Sequence, residues 1–199
     1  MPLSLVVAFV AMRTLLALIL VLGALGGCDD TPQWQCDGAT RVVDTCDPGT
    51  TTYEENLSKN HIEEPEEIEY ASSPPSSGDH RPHWAMWGEH EFLSQEFWLH
   101  NLEHGGVALL YHPCADAEVV DSLREWARAR PEDDGGSFRW ILTPYPGLET
   151  TVAVVAWEWR YESDCFDEVE IAEFVDAHYR QAPEDVDSNG SAGSLYIGL

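Results

Sequence analysis

The stretch QEFWLHNLEHGGVALLYHPC, residues 95–114, decides the reading of this chain. It joins an apolar helical pattern to a short β-prone run across a double glycine. Ser94 is a candidate N-cap, Glu96 sits in the first turn where the helix dipole favours an anion, and Gly105 stands where a C′ glycine ends a helix. A helix of about ten residues follows, and the run VALLY beyond Gly106 reads as a buried strand. His100 and His104 then lie at i and i+4 on one helix face, with Glu103 beside them, which is a metal-ligand spacing.

Downstream, Asp116 caps a second helix in which Val119, Leu123, Trp126 and Ala127 keep helical spacing until Pro131. Residues 138–143 read as a strand. The connection Pro144, Tyr145, Pro146, Gly147, Leu148 leads into residues 151–161, whose β-branched start and alternating aromatics predict one long strand, antiparallel to its predecessor. Asp167 and Glu170 resemble a capping box opening a last helix with Ile171, Phe174, Val175 and His178 on one stripe. His178 there reads as a core-edge residue. The order strand, helix, strand, strand, helix predicts an α+β fold. Its first two strands are parallel through a right-handed crossover, both helices cover one face of a mixed sheet, and a His-rich loop and short helix cover the other face or one end.

Upstream, residues 71–92 form a structured loop, with Pro74 and Pro75 fixing extended backbone and Gly78 permitting a turn. His80, His83 and His90 come off it with Trp84, Met86 and Trp87. Residues 61–70, HIEEPEEIEY, are acidic and broken by Pro65, with a short edge strand expected at 68–70. Residues 28–60 are polar and rich in Pro, Gly, Thr and Asp, which predicts a flexible tether. At the other end Asp185, Asp187, Asn189 and Gly190 match the first half of a calcium loop, but Tyr196 stands where the bidentate glutamate belongs, so 185–199 reads as a polar tail.

The leader VVAFVAMRTLLALILVLGALGGC has one basic residue, a long apolar run and small residues before Cys28, the pattern of a signal peptide over 1–27. Leu25, Gly26, Gly27 and Cys28 resemble a lipobox, which makes Cys28 the lipidated N-terminus and the membrane a partner through that anchor; a plain membrane anchor is the alternative. Met12 before Arg13 is a second possible start, and Asp29 suits retention at an inner membrane. With Cys28 set aside, Cys36, Cys46, Cys114 and Cys165 form an even set expected to pair as disulfides, preferably Cys36 with Cys46 and Cys114 with Cys165. A net charge of −26 argues against a nucleic-acid partner, since phosphate binding draws on Lys and Arg; the acidity serves solubility or attracts cations.

The blocks at residues 74–80 (PPSSGDH), Trp87 with Gly88, residues 99–107 (LHNLEHGGV) and residues 144–148 (PYPGL) resemble an exported bacterial family known as domain of unknown function 3105. The resemblance spans residues 61–184. It implies an exported, usually membrane-anchored protein without an established activity, and places family histidines at His61, His80, His100 and His104. His83 and His90 do not match it, and Glu89 with His90 replaces the tyrosine common after the Trp-Gly pair.

Three functions compete. The first is a transition-metal site of His80, His100 and His104 completed by His61 or Glu103, with copper or zinc as the ion and a tilt to copper from His83 and Met86. The second is a zinc hydrolase in which His100, Glu103 and His104 form an HxxEH motif with Glu103 activating water; Gly105 and Gly106 end the helix too early for that fold. The third is a non-catalytic structural or interaction module of the cell envelope, held together by its histidines.

Overall fold

Val107–Tyr111, the run behind the double glycine, lies inside a six-stranded mixed sheet and is the strand around which both faces are built. The computed structural model describes Trp34, Cys36 and residues 46–55 and 58–190. In chain order the elements are β1 (Thr50–Tyr53), β2 (Gly88–Glu89), α1 (Gln95–Glu103), β3 (Val107–Tyr111), α2 (Ala117–Ala129), β4 (Trp140–Pro144), β5 (Val152–Ala156), β6 (Trp159–Ser163) and α3 (Glu168–His178). The sheet order is β1-β6-β5-β3-β4-β2, and the fold is α+β.

Because side chains alternate across a strand, β3 feeds two cores. Val107 and Leu109 join Leu123 and Trp126 of α2 and Ile171, Phe174 and Val175 of α3 on one face. Ala108 and Leu110 join Phe97, Trp98, Leu99 and Leu102 of α1 on the other. The two long helices therefore share a face and α1 with the histidine loop covers the opposite one. β3 runs parallel to β4, with Ala108 opposite Ile141, and α2 makes the crossover. Asp116 caps α2 through Glu118 N, and Asp167 caps α3 through Val169 N and Glu170 N. The capping box of α3 stays open, because Glu170 Oε2 instead accepts from Gly49 N at 2.9 Å and Tyr161 OH at 2.7 Å.

Several expectations are corrected. Residues 151–161 form a hairpin rather than one strand: β5 and β6 pair antiparallel with Ala156 opposite Trp159, and the turn holds Glu158 at φ 66°. No glycine or asparagine announces this turn. It is held from outside, by Glu158 N donating to Ser76 O at 2.9 Å and Glu54 N donating to Glu158 O at 2.8 Å. Nor does β5 lie beside β4; it pairs with β3 on the far side. Every residue of β5 is buried, so its backbone needs a neighbour on each edge, which β3 and β6 supply. The connection passes over the end of β3, where Tyr145 N donates to Tyr111 O and His112 N to Thr151 O.

The tether reading fails from Cys46 onward. β1 pairs antiparallel with β6, Thr50 opposite Glu162, so the chain before Thr50 runs alongside the chain after β6. That register brings Cys46 to Cys165 and leaves Cys36 for Cys114, with Cα separations of 5.8 and 5.6 Å. The preferred pairing of Cys36 with Cys46 and Cys114 with Cys165 is overturned, since sheet register and not nearness in sequence selects the partners. Residues 68–70 form no strand; Tyr70 instead donates to Asp79 O at 2.8 Å. The start of the supposed free tail is also docked. Asp185 accepts from Arg139 and Arg180, Asn189 Oδ1 accepts from Trp87 N, and Trp87 Nε1 donates to Ser188 O. The calcium-loop oxygens of Asp185 and Asn189 are thus engaged by protein donors. The signal peptide, Cys28 and residues 191–199 lie outside the described residues. Among the described residues no helix is long and apolar enough to cross a membrane.

Candidate metal centre

Helix α1 ends where Gly105 takes φ +83°, a conformation open to glycine, and Gly105 N donates to Leu102 O. A Cβ on Gly106 would lie 2.4 Å from the Trp87 ring, so the chain turns into β3 within a space only glycine fits. This turn leaves His100, Glu103 and His104 on the buried side of the corner, 2, 2 and 5 % exposed.

The loop carrying His80 is fastened onto α1 at several points. Asn101 accepts from Ala85 N and donates to Ala85 O, both at 3.0 Å. Arg81 N donates to Glu96 O, and the Arg81 guanidinium pairs with the Glu96 carboxylate at 3.1 Å. His61 is placed by a parallel bridge to His80, in which Ile62 N donates to His80 O at 2.8 Å and His80 N to Asn60 O at 3.0 Å. Three separate segments thereby bring imidazoles to one point.

Hydrogen bonds then assign the tautomers. Gly78 O accepts from His80 Nδ1 at 2.9 Å and Arg81 O accepts from His100 Nδ1 at 2.7 Å. A carbonyl only accepts, so both Nδ1 atoms carry the proton and both Nε2 atoms turn inward, that of His100 as a bare lone pair and that of His80 onto the Glu103 carboxylate. Burial pushes His100 down to about 4, and burial likewise lowers His104. His80 Nε2 lies 3.0 Å from Glu103 Oε2, and His61 Nε2 lies 3.7 Å from the same oxygen. For Glu103 burial acts to raise the carboxyl, but the His80 hydrogen bond and the neighbouring cationic groups outweigh it and hold the group below its usual range. Lys59 Nζ stands 3.7 Å from Glu103 Oε1.

His100 Nε2 and His104 Nε2 are 3.2 Å apart. With the first nitrogen bare, a hydrogen bond needs His104 to carry its proton on Nε2, which leaves the buried Nδ1 of His104 without a partner. Two donors about 2.0–2.1 Å from one tetrahedral ion would sit roughly 3.3 Å apart, close to this spacing. Aromatic rings wall the cluster: Trp84 is 4.9 Å from the His100 ring and 4.5 Å from that of His104, and Trp157 meets His80 edge-on at 6.1 Å.

The donor atoms fall into two overlapping sets, His61, His80, His100 and Glu103, and Glu103, His104 and Glu184, each within 4.8 Å of one another. All five residues singled out from sequence as ligands meet here, with His104 shifted to the second set. The secondary candidates do not join them. His83 is exposed beside Glu63, Glu64 and Phe97; His90 Nε2 bonds Met86 O; Met86 is itself exposed. His178 stacks on Trp159 at 4.3 Å, as a core-edge residue. Sequence reasoning missed Glu184 and Lys59, both delivered by long-range backbone placement that leaves no local pattern.

A family model described as "Protein of unknown function (DUF3105)" matches residues 61–191, which include every ligand candidate of both sets. No curated protein and no solved structure matches the chain.

Proposed function

The chain belongs to the DUF3105 family, and because that description names no chemistry, we propose from the site alone that the protein binds a divalent transition-metal ion at the α1 corner. One observation carries this reading. His80 and His100 use Nδ1 for carbonyl bonds, and their Nε2 atoms converge with His61 and Glu103. Carbonyl bonds to the outer nitrogen are the usual means of orienting metal-bound histidines. A set of imidazoles and one carboxylate suits zinc or copper(II), whereas the thioether that would favour copper(I) stands elsewhere at Met86. His61, His80, His100 and Glu103 would hold the ion, which would supply Lewis acidity or a bound cation for storage and transfer.

The two disulfides belong to an oxidising compartment outside the cytosol. We place the domain on the cell-envelope side of a membrane, after a cleaved leader over 1–27 and a lipid anchor on Cys28, with the −26 charge drawing cations toward the site. The rival reading is a structural module, favoured by the buried His80–Glu103 contact at 3.0 Å, which would tie the loop to α1 without any ion. A hydrolase draws on no further observation, since Glu103 is buried and already hydrogen-bonded to His80.

The test is metal content of the full chain, expressed through the periplasm and extracted in detergent, beside a His100→Ala/His104→Ala variant. Stoichiometric zinc or copper, lost in the variant while its circular dichroism is kept, supports the metal site. No retained metal after incubation with either ion overturns it and leaves the structural module.

A further inference from the structure

Resting on that reading, we infer that the centre takes a second divalent cation, held by His104 and Glu184 and bridged to the first through Glu103. Six donor residues surround the corner, yet they divide into two sets that share only Glu103. An ion held by His61, His80, His100 and Glu103 already has four ligands without His104 and Glu184. His104 is 5 % exposed; its Nδ1 is buried without a hydrogen-bond partner, and its Nε2 is the ring nitrogen that faces Glu184.

Glu184 is not a stray surface acid. Its backbone N donates to Glu103 O at 3.1 Å, and four residues earlier Arg180 N donates to Gly105 O at 3.0 Å. Arg139, itself 3 % exposed, donates to both His104 O and the Asp185 carboxylate, binding the segment after α3 to the end of α1. This strap sets Glu184 Oε2 3.6 Å from His104 Nε2. On the other side of the shared carboxylate, Glu103 Oε2 is 3.0 Å from His80 Nε2. A carboxylate has two oxygens, and one bridging two ions about 3.5–4 Å apart is the arrangement of two-metal centres. Charge agrees as well, since Glu184 adds a second carboxylate where two dications would meet only Glu103.

The experiment loads the full-length, detergent-extracted chain with Zn2+, dialyses it against metal-free buffer and measures zinc per chain for wild type, Glu184→Gln and His80→Ala. A parallel Cu2+ loading is read by electron paramagnetic resonance. Glu184 is exposed, so Glu184→Gln leaves the core intact. Two zinc ions in wild type, one in Glu184→Gln, and a spin-coupled copper signal that becomes an isolated one in that variant support the bridged pair. One ion in both proteins overturns the second position and leaves the first standing. Two ions in both overturns the assignment to Glu184, and none in wild type overturns both positions.

Discussion

His100 Nε2 faces His104 Nε2 across 3.2 Å, while His100 Nδ1 is fixed on Arg81 O at 2.7 Å. A buried imidazole held this way has one free lone pair and no freedom to turn it elsewhere. Replacing His100 by Gln removes the imidazole nitrogen donor, leaving only a weakly ligating amide oxygen, and keeps most of the volume. Zinc affinity, measured by competition with a chromogenic chelator, is expected to fall by about 100-fold or more, beyond the 10–100-fold typical of outer-shell partners. An unchanged affinity would remove His100 from the ligand set.

The metal-free protein is expected to lose stability as the pH falls. In the unfolded chain His100 takes up its proton near its ordinary value of 6.5, but in the folded chain only near about 4. Between those values the unfolded state binds more protons, so the stability contribution is present in full above 6.5 and gone below about 4. Each histidine kept neutral by burial adds a slope of up to about 1.4 kcal/mol per pH unit, or roughly 3 kcal/mol over this window for His100. His90, His104 and His178 are lowered by burial and act in the same direction. Urea titrations from pH 7 to 4 check the slope, which should flatten in His100→Gln.

How much of this was legible in the sequence depended on whether the determinant was local. The α1 corner could be read because the apolar period changes from helical to strand-like across Gly105 and Gly106, and because His100 and His104 stand four apart. The hairpin at Glu158 could not, since its left-handed turn is held by Ser76 and Glu54 and not by a turn residue. β1 carries the sequence TTTY on a mostly exposed edge, so no buried alternation marks it. At the site, His61 and His80 could be grouped from sequence as ligands of one ion, but the backbone bridge that joins them could not be read. Glu184 was invisible because the strap through Arg139 and Asp185 positions it, and arginine contacts of that kind have no sequence period.

Gly105→Ala tests the corner itself. The residue adopts φ +83°, and a Cβ there would also stand 3.1 Å from Arg180 Cα. Forcing an L side chain into the left-handed region costs about 1–2 kcal/mol, before any cost of moving the strap. A loss of at least about 1 kcal/mol in chemical denaturation is expected, together with weaker zinc binding, because Glu103 and His104 sit on the displaced turn. A variant as stable as wild type would mean that the helix end is not fixed by this glycine.

The disulfide pattern gives the most direct check on the architecture. Cys46 meets Cys165 because β1 pairs with β6, so the bond reports that register across a sequence separation of 119. Peptide mapping without reduction should yield Cys36 linked to Cys114 and Cys46 linked to Cys165; a Cys36–Cys46 peptide would show β1 unpaired or differently placed. Replacing Cys46 and Cys165 together by Ser is expected to lower stability by about 4 kcal/mol on the chain-entropy account, less than the full loop length implies because the Cys36–Cys114 bond already shortens the open path. Thermal denaturation of the double variant against wild type measures that loss. Retained zinc binding in the folded variant is the accompanying expectation, since β1 is an edge strand separated from β3 by β6 and β5 and contributes no ligand to either set.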